Sequence, residues 1–535
     1  MNENNIMPVG TQKERFELSK KDYIFAVFSF LISVITSALG IWGGFRSGMT
    51  LSVILIISAV TVYFISKDVK IRFFPLVCGL LAVFVSLSFT LTTNGTIRFL
   101  SFIFCGVLSL IWFTNLIAEQ KESGDLDLLR NIFAPIFALA LPDIPIAVVS
   151  LFQGGGEKKK KVGKALLGCL ASLPLLMIIV PLLISSDEAF SGMAELLFGN
   201  LFLNLFKIIV GAVISLFVIS YGFSLKKREL PEKMESGFKG AENTAVTAFL
   251  SVISVCYLSY LFSQLAYFFS AFKGFLPENY EFTVSAYARR GFFEMSVIAG
   301  INFIVIFAVV LISKKKNGKS GKGIMALCTF IALFTLIIIS TALSKMVLYI
   351  KSFGMTQLRI GTSGFMIALG FIFISLILRI YIPKIRVLRT AVISFGIILA
   401  LFGSFNINSV IGEYNYSAYK NGMLETVDTK ALYDLGAEGI PYLIKLSESK
   451  NYEISQSANG FIYEALCYGS YEYTIDENNE GYKIVLNDNK RTGLGSYSYP
   501  FMRAERLLKK YIKENGNIIK EQWENRYSED TEFYY

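Results

Sequence analysis

IFAPIFALALPDIPIAVVSLF, residues 132–152, is an apolar run long enough to span a bilayer as a helix. It contains Pro135, Pro142 and Pro145, and Asp143 lies between the last two of these prolines. Because proline lacks a backbone N–H and its ring clashes with the preceding turn, we expect that the run does not form one regular helix. Whether it crosses the membrane decides on which side every later segment of the chain lies.

Eleven further apolar runs surround this stretch, and each approaches the length of roughly 20 residues that a membrane-spanning helix needs. They are 23–44, 49–66, 73–92, 97–117, 164–184, 205–225, 245–269, 292–312, 323–343, 361–382 and 388–405. The composition agrees with this pattern, since 53% of the residues are hydrophobic and only 17% are charged, against roughly 25% charged residues in soluble domains. The sequence therefore predicts an integral membrane protein.

Basic residues decide between the two alternatives for residues 132–152. If this run does not cross, the N-terminal segment and the later basic clusters all face one side; if it crosses, they face both sides. These clusters lie in 67–72, 118–163, 226–244, 313–322 and 383–389. Since cytoplasmic loops carry an excess of Lys and Arg, we expect eleven spans and a cytoplasmic N-terminus. Residues 132–152 are then an interfacial or re-entrant element, which is tolerated only where protein or water covers it.

The composition changes after residue 405, where the chain becomes polar. DTKALYDLGAEGIPYLIKLSES, 428–449, predicts two short helices broken at GAEGIP, and YEYTIDENNEGYKIVL, 471–486, predicts a hairpin. An amphipathic helix is expected from residue 501 to about residue 516. We therefore predict three parts: a cytoplasmic segment (1–22), an all-α transmembrane domain of about 11 helices (23–405) and a small mixed α/β extracytoplasmic domain (406–535).

Several classes of protein are disfavoured by the sequence. The chain has no histidine, which is the commonest general base and metal ligand. It also has no Cys-x-x-Cys pair, Walker lysine loop, zincin helix or kinase signature. We therefore expect no metal and no cofactor, and an enzyme is less favoured than a non-enzymatic protein. The net charge of +10 is explained by basic cytoplasmic loops, so we expect the lipid bilayer, and no nucleic acid, as a partner.

Charged residues gather in three of the predicted outward loops, so we expect a site on the outer face. The candidates are Asp187, Glu188, Arg289, Arg290, Glu294, Lys345, Tyr349, Lys351 and Arg359. An arginine fork matches phosphate or carboxylate, which favours binding of an anion. Anchoring of the helix ends in lipid headgroups is the alternative for Arg289 and Arg290, and helix capping is the alternative for Asp187 and Glu188. A shared site requires the arginine heads and the Asp187 carboxylate to lie within roughly 12 Å, beyond which salt screens the attraction.

Asp143 is a separate candidate, because an acidic residue in a proline-rich apolar segment is unusual. It could bind a cation or relay a proton inside the membrane, as acids in interrupted helices of transporters do. An interfacial turn would explain it equally well. The sequence does not decide between these alternatives.

Three stretches of the chain resemble the signature sequences of a known family: SSDEAF (185–190), YARRGFFE (287–294) and LYIKSFGMTQLR (348–359). The tail patterns NINSVIGEYN (406–415) and LETVDTKALYDLGAEGIPYL (424–443) are similar as well. This is a bacterial family of polytopic membrane proteins classed as a domain of unknown function. The resemblance implies a multi-pass protein of a bacterial cell membrane, and it supplies no catalytic residues.

We therefore expect an envelope protein whose outer-face polar groove binds an anionic or lipid-linked ligand, or which acts as a sensor or assembly partner. A secondary transporter is the alternative, and an intramembrane transferase is the third possibility. A transporter requires a polar cavity that continues to the middle of the bilayer, whereas a binder or sensor requires only an outer groove.

Overall fold

The computed structural model describes residues 16–69, 72–117, 125–152, 188–227, 242–271, 292–313, 321–468, 471–476, 481–486 and 494–532, with isolated positions between 168 and 186. The helices before residue 160 are α1 (Lys20–Ile35, continued by a π-helix over Thr36–Ile41), α2 (Ser47–Ile65), α3 (Phe73–Ser86), α4 (Ser88–Leu91), α5 (Gly95–Ile117), α6 (Asp125–Ala134) and α7 (Leu141–Leu151). They are followed by α8 (Glu188–Lys227), α9 (Asn243–Ala271), α10 (Phe292–Ile312), α11 (Lys322–Phe353), α12 (Gln357–Tyr381) and α13 (Val387–Ser404).

The C-terminal part is also built mainly from helices. These are α14 (Ile407–Lys420), α15 (Thr429–Tyr433), α16 (Ile440–Ser447), α17 (Tyr452–Tyr468) and α18 (Tyr499–Glu532), with 3-10 turns at Gly436–Glu438 and Leu494–Ser496. Two strands, β1 (Tyr471–Asp476) and β2 (Gly481–Leu486), pair antiparallel with Tyr471 opposite Leu486.

Three hydrophobic cores hold the described residues together. The first joins α1, α2, α3, α5, α6, α7 and α8 around Trp112 and Phe64, and the second joins α9 to α13 around Phe373 and Ile331. Large apolar side chains are also exposed along the outside of these helices, for example Val252 at 73%. Such exposure is expected where lipid rather than water surrounds the helices.

The third core belongs to the C-terminal domain and corrects a prediction. Leu432, Leu435, Tyr442, Leu443 and Leu446 are all buried in it, which confirms the apolar faces expected for the short helices. The described side chains of this core come from helices and helix-flanking turns. The predicted mixed α/β domain is therefore not supported. Alternation of apolar residues indicated strands, but the apolar area that forms this core lies on the helices.

Among the described residues, eleven helices are long and apolar enough to cross a membrane. The number equals the prediction, but the membership differs. Asp127–Leu151 is included by length and composition, whereas the predicted span at 164–184 lies outside the described residues. The prolines do not interrupt the helix at 127–151: the backbone widens into a π-helix over Pro135–Ala140, and Pro145 lies inside α7.

The helix ends define two opposite faces of the bundle. At one end, Asp22 in the first turn of α1 forms a 2.8 Å ion pair with Lys67 after α2, and Arg389 of α13 lies 4.8 Å above the ring of Phe74 in α3. We call this end the amino-terminal face. At the other end, the Arg46 guanidinium donates to the Ser496 carbonyl at 3.2 Å. We call this end, where the C-terminal domain packs, the domain face.

Both ends of the segment 125–151 lie at the amino-terminal face. The Asp125 carboxylate accepts from the Leu388 N–H at 3.4 Å, at the start of α13, and lies 3.4 Å from the Arg379 Nε near the end of α12. At the other end, the Ser150 hydroxyl accepts from the N–H of Phe16, which precedes α1, at 3.1 Å. A helix that crossed the bundle would have its two ends on opposite faces.

The middle of this segment stays near the same face. The Ser220 hydroxyl donates to the Ala140 carbonyl at 2.6 Å, and the Ser224 hydroxyl donates to the Asp143 carboxylate at 3.0 Å. Both serines belong to the last turns of α8, which ends at Lys227. The contacts thus hold the segment along one end of the bundle.

Candidate functional site

The turn between α11 and α12 holds two of the residues predicted to form an outer site. The guanidinium of Arg359 lies 4.1 Å from the centre of the Tyr349 ring and donates to the Phe353 carbonyl at 2.9 Å. It also donates to the carbonyl of Gly354, whose φ of 75° lies in the left-handed region that glycine adopts without strain. Arg359 and Tyr349 therefore meet, and in this arrangement they stabilise the turn.

The remaining predicted residues do not form one described cluster. Lys345 is half-buried, whereas Lys351 and Glu294 are exposed. Arg289, Arg290 and Asp187 lie outside the described residues, and so does the side chain of Glu188. The shared site of arginines with Asp187 stays a prediction.

Asp143 lies far from these residues in the fold. It is fully buried beside Ser224, close to the amino-terminal face, whereas the turn at Gly354 belongs to the domain face. The two candidate sites predicted from sequence are thus at opposite ends of the bundle.

A buried carboxylate attaches the C-terminal domain to the loop between α4 and α5. Glu438 is 2% exposed. Its carboxylate accepts from the Thr93 N–H at 2.6 Å, from the Thr93 hydroxyl, and from the Thr92 hydroxyl at 3.2 Å. Three donors satisfy much of the hydrogen-bonding capacity of a carboxylate, which reduces the cost of burying its charge.

An amide pair forms a second attachment beside the first. Asn94 caps α5, since its side-chain oxygen accepts from the Ile97 N–H at 3.0 Å. Its amide nitrogen donates to Asn408 of α14 at 3.1 Å, and Asn408 in turn donates to the Leu435 carbonyl at 3.2 Å. The first turn of α5 is therefore linked through side chains to the C-terminal domain.

A third attachment reaches α12 from the same helix of the C-terminal domain. The side chain of Asn415, seven residues after Asn408, accepts from the Met355 N–H at 2.7 Å and donates to the Met355 carbonyl at 2.9 Å. Met355 and Ile360 also pack against the core of the C-terminal domain. The start of α12 is thus bound by both polar and apolar contacts.

Two arginines of the membrane domain bind a further segment of the C-terminal domain. Arg46 lies 4.8 Å from the centre of the Phe501 ring, and Arg98 lies within 3.5 Å of the Ser498 hydroxyl. The C-terminal domain is therefore held to the domain face of the bundle at several separated points, and the two parts form one folded structure.

An apolar cavity of about 350 Å³ lies directly beneath these attachments. Its walls are α5, α12 and α13, and Ile407 at the start of α14 also lines it. Asn94, Thr96 and Gln357 supply the polar groups at its end near the domain face. The volume falls in the usual range of small-molecule sites, about 300–1,000 Å³.

The cavity faces the lipid-exposed surface of the bundle. Leu100 and Ile103 of α5 line it and are 45% and 47% exposed, and Phe365 of α12 is 43% exposed. The α5 wall extends to Phe104, about half-way along the candidate span Gly95–Thr114. The cavity is therefore an apolar groove in the half of the membrane region next to the domain face, and it differs from the polar groove predicted from sequence.

The apolar lining of this groove favours the binding of an apolar ligand. No charged side chain lines it, and among the described residues no three His, Cys, Asp or Glu side chains form a group that could hold a metal ion. Towards the middle of the bilayer the groove is lined by apolar side chains such as Ile103 and Phe104, whereas a transporter requires a polar cavity there.

Comparison with known proteins places this architecture in a family. Residues 79–446 match the family described as Domain of unknown function (DUF4153). The chain belongs to this family. The matched region begins in α3 and ends in α16, so the family domain contains the groove and four polar residues of the first three attachments: Asn94, Asn408, Asn415 and Glu438. No curated protein and no solved structure matches the chain.

Asn408, Asn415 and Glu438 are not among the site residues predicted from sequence. A signal for the first two was present, because residues seven apart on a helix share one face and Asn408 and Asn415 therefore point together. Glu438 carried a weaker signal: it lies between buried residues of the GAEGIP turn. Neither pattern indicates which partner the polar groups bind, since the contacts join residues that are 60 to 346 positions apart in sequence.

Proposed function

We propose that this protein is a bacterial cell-membrane protein that binds the acyl chain of a lipid or lipid-linked ligand at its domain face. The observation that supports this most is the apolar groove between α5 and α12, which faces lipid along Leu100 and Phe365. A groove of this kind inside the membrane region is surrounded by acyl chains, and because these are as apolar as its lining, van der Waals packing is the interaction that favours their insertion.

The orientation that we propose has the amino-terminal face in the cytoplasm and the C-terminal domain outside the cell. Basic residues near the amino-terminal face, among them Lys67, Arg72, Arg386 and Arg389, support this orientation through the positive-inside rule. The ligand headgroup would then lie near Asn94, Thr96 and Gln357 on the outer side, where anionic or lipid-linked envelope components are accessible.

The two other functions expected from sequence receive less support. The apolar lining of the groove does not resemble the polar midplane cavity of a secondary transporter, and the groove itself presents no nucleophile or acid for a transferase. A non-enzymatic binding or sensing role is therefore the function that we favour.

Photolabelling by lipid tests this proposal. The full-length protein is placed in vesicles of phosphatidylethanolamine and phosphatidylglycerol that contain a phospholipid with a diazirine on its acyl chain. After irradiation we expect adducts concentrated on residues 97–104 and 360–365. Leu100→Trp, which fills the groove, should reduce these adducts about tenfold, corresponding to about 1.4 kcal/mol.

Val252→Trp is the matched control, because Val252 is exposed on α9 and does not line the groove. It should leave the adducts in the groove unchanged. Labelling spread evenly over all lipid-exposed helices, or unaffected by Leu100→Trp, would show that the groove is not a lipid site.

A further inference from the structure

The two helices that form the walls of the groove are both attached to the C-terminal domain. On the α5 side, Asn94 lines the groove and donates to Asn408 of α14. On the α12 side, Gln357 and Ile360 line the groove immediately after Met355, whose backbone is held by Asn415. Asn408 and Asn415 belong to one helix, so α14 connects the two walls.

This connection lies at the end of the groove near the domain face. Ile407, the first residue of α14, lines the groove and also packs against the core of the C-terminal domain. Glu438 adds a second link on the α5 side through Thr92 and Thr93. Rigid elements joined by buried hydrogen bonds have few alternative arrangements, so the spacing of the walls is set by these links.

We infer that the C-terminal domain is a clasp that fixes the width of the groove and thereby controls the rate at which a lipid chain enters it. The inference rests on the proposed lipid site and adds its regulation. Entry of an acyl chain into a groove of about 350 Å³ is easier when its two walls separate, and separation strains the amide links at Asn408 and Asn415. By linkage, a ligand that prefers separated walls also weakens docking of the domain.

The variant Asn408→Ala/Asn415→Ala in the full-length protein tests the inference. Its docking is measured by hydrogen exchange of residues 407–420, and its lipid uptake by the time course of diazirine-lipid labelling in the groove. We expect faster exchange and about tenfold faster labelling, since loss of the links removes a barrier of about 1.4 kcal/mol. Ser417→Ala is the control, because the Ser417 hydroxyl donates to Glu413 of the same helix, and it should change neither measurement.

The outcomes distinguish failure of this inference from failure of the proposed lipid site. If hydrogen exchange rises but labelling keeps its wild-type rate, the C-terminal domain does not control lipid entry, and the proposed lipid site is not contradicted. If exchange does not rise, the two amides do not hold the domain and the inference is also wrong. If the wild-type groove is never labelled, the proposed function itself fails.

Discussion

At the scale of single residues, Glu438 shows how a buried charge is placed to hold two parts of the chain together. Burial raises the pKa of Glu438 above its ordinary value of 4.5, because desolvation outweighs the hydrogen bonds from Thr93 and Thr92 that lower it. The groups that contact its carboxylate are neutral. The residue therefore binds a proton more tightly in the docked state than in the unfolded chain.

Replacement of Glu438 by Ala and by Gln should have different consequences. Glu438→Ala leaves the buried Thr92 hydroxyl and Thr93 N–H without their acceptor, which costs about 1–3 kcal/mol for each unsatisfied group. We expect the melting temperature of the C-terminal domain to fall, measured by the intrinsic fluorescence of its tyrosines. Glu438→Gln keeps the shape and the acceptor oxygen, so it should lose much less. Equal losses in both variants would contradict the role of these hydrogen bonds.

The pH dependence of domain docking follows from the raised pKa of Glu438. A carboxylate whose pKa is higher in the folded state stabilises folding most below its unfolded pKa, here about 4.5, and this stabilisation is lost as pH rises through the folded value. Melting temperatures measured from pH 4 upwards should fall more steeply for the wild type than for Glu438→Gln. Identical slopes would show that Glu438 does not titrate in this range.

At the scale of helices, close approach of α1 and α8 depends on a glycine. A Cβ atom at Gly211 would lie 2.6 Å from the Cα of Val34, closer than such atoms approach in proteins. Small residues at helix interfaces are a general means of packing in membranes, because backbones can approach and gain van der Waals contact. Gly211 thus determines how near α8 lies to the first helix.

Gly211→Ala should destabilise the bundle by about 1–3 kcal/mol, the usual cost of overpacking. Thermal unfolding in detergent, followed by circular dichroism, measures this as a lower melting temperature. Gly300→Ala is the control: it makes the same change within a membrane helix, but nothing lies within 4 Å of its added Cβ. Since alanine favours helix by about 1 kcal/mol over glycine, the control should be neutral or slightly stabilising. A Gly211→Ala variant as stable as the control would exclude a tight α1–α8 contact.

At the scale of the whole molecule, contacts at the ends of the described helices show at which face of the bundle each end lies. Ser150 lies at the amino-terminal face through its bond to Phe16, whereas Phe206 packs against Trp42 with ring centres 5.6 Å apart, near the domain face. The chain therefore passes from one face to the other between these two residues. This placement agrees with a non-crossing segment at 125–151. The span predicted at 164–184 lies outside the described residues and stays a prediction.

Thiol labelling in cells tests this topology. In a cysteine-free background, Asp68→Cys and Phe152→Cys should react with a membrane-impermeant reagent only after permeabilisation, and Asn421→Cys should react in intact cells. The physical reason is that Asp68 and Phe152 belong to the amino-terminal face, while Asn421 follows α14 in the C-terminal domain. Reaction of Phe152→Cys in intact cells would show that 127–151 crosses the membrane.

A helical multi-pass membrane protein could be predicted from the residues alone, because apolar length and the spacing of charges are local properties that need no partner. The same is true of the apolar faces at Leu432 and Leu443. Two features became clear only from the three-dimensional fold: Pro135 begins a π-helix while Pro142 and Pro145 lie in α7, and Arg359 stabilises a turn.

The tertiary structure also decided where the candidate site lies. Asn94 and Asn408 are more than 300 residues apart in sequence, and nothing in the local pattern around either residue indicates that the fold brings their side chains within 3.1 Å. The groove has the same origin: Leu100 and Phe365 are typical lipid-facing residues in sequence, and they line a cavity because the fold places α5 and α12 side by side. Contacts between distant segments carry this information, and the residue pattern of each segment alone does not contain it.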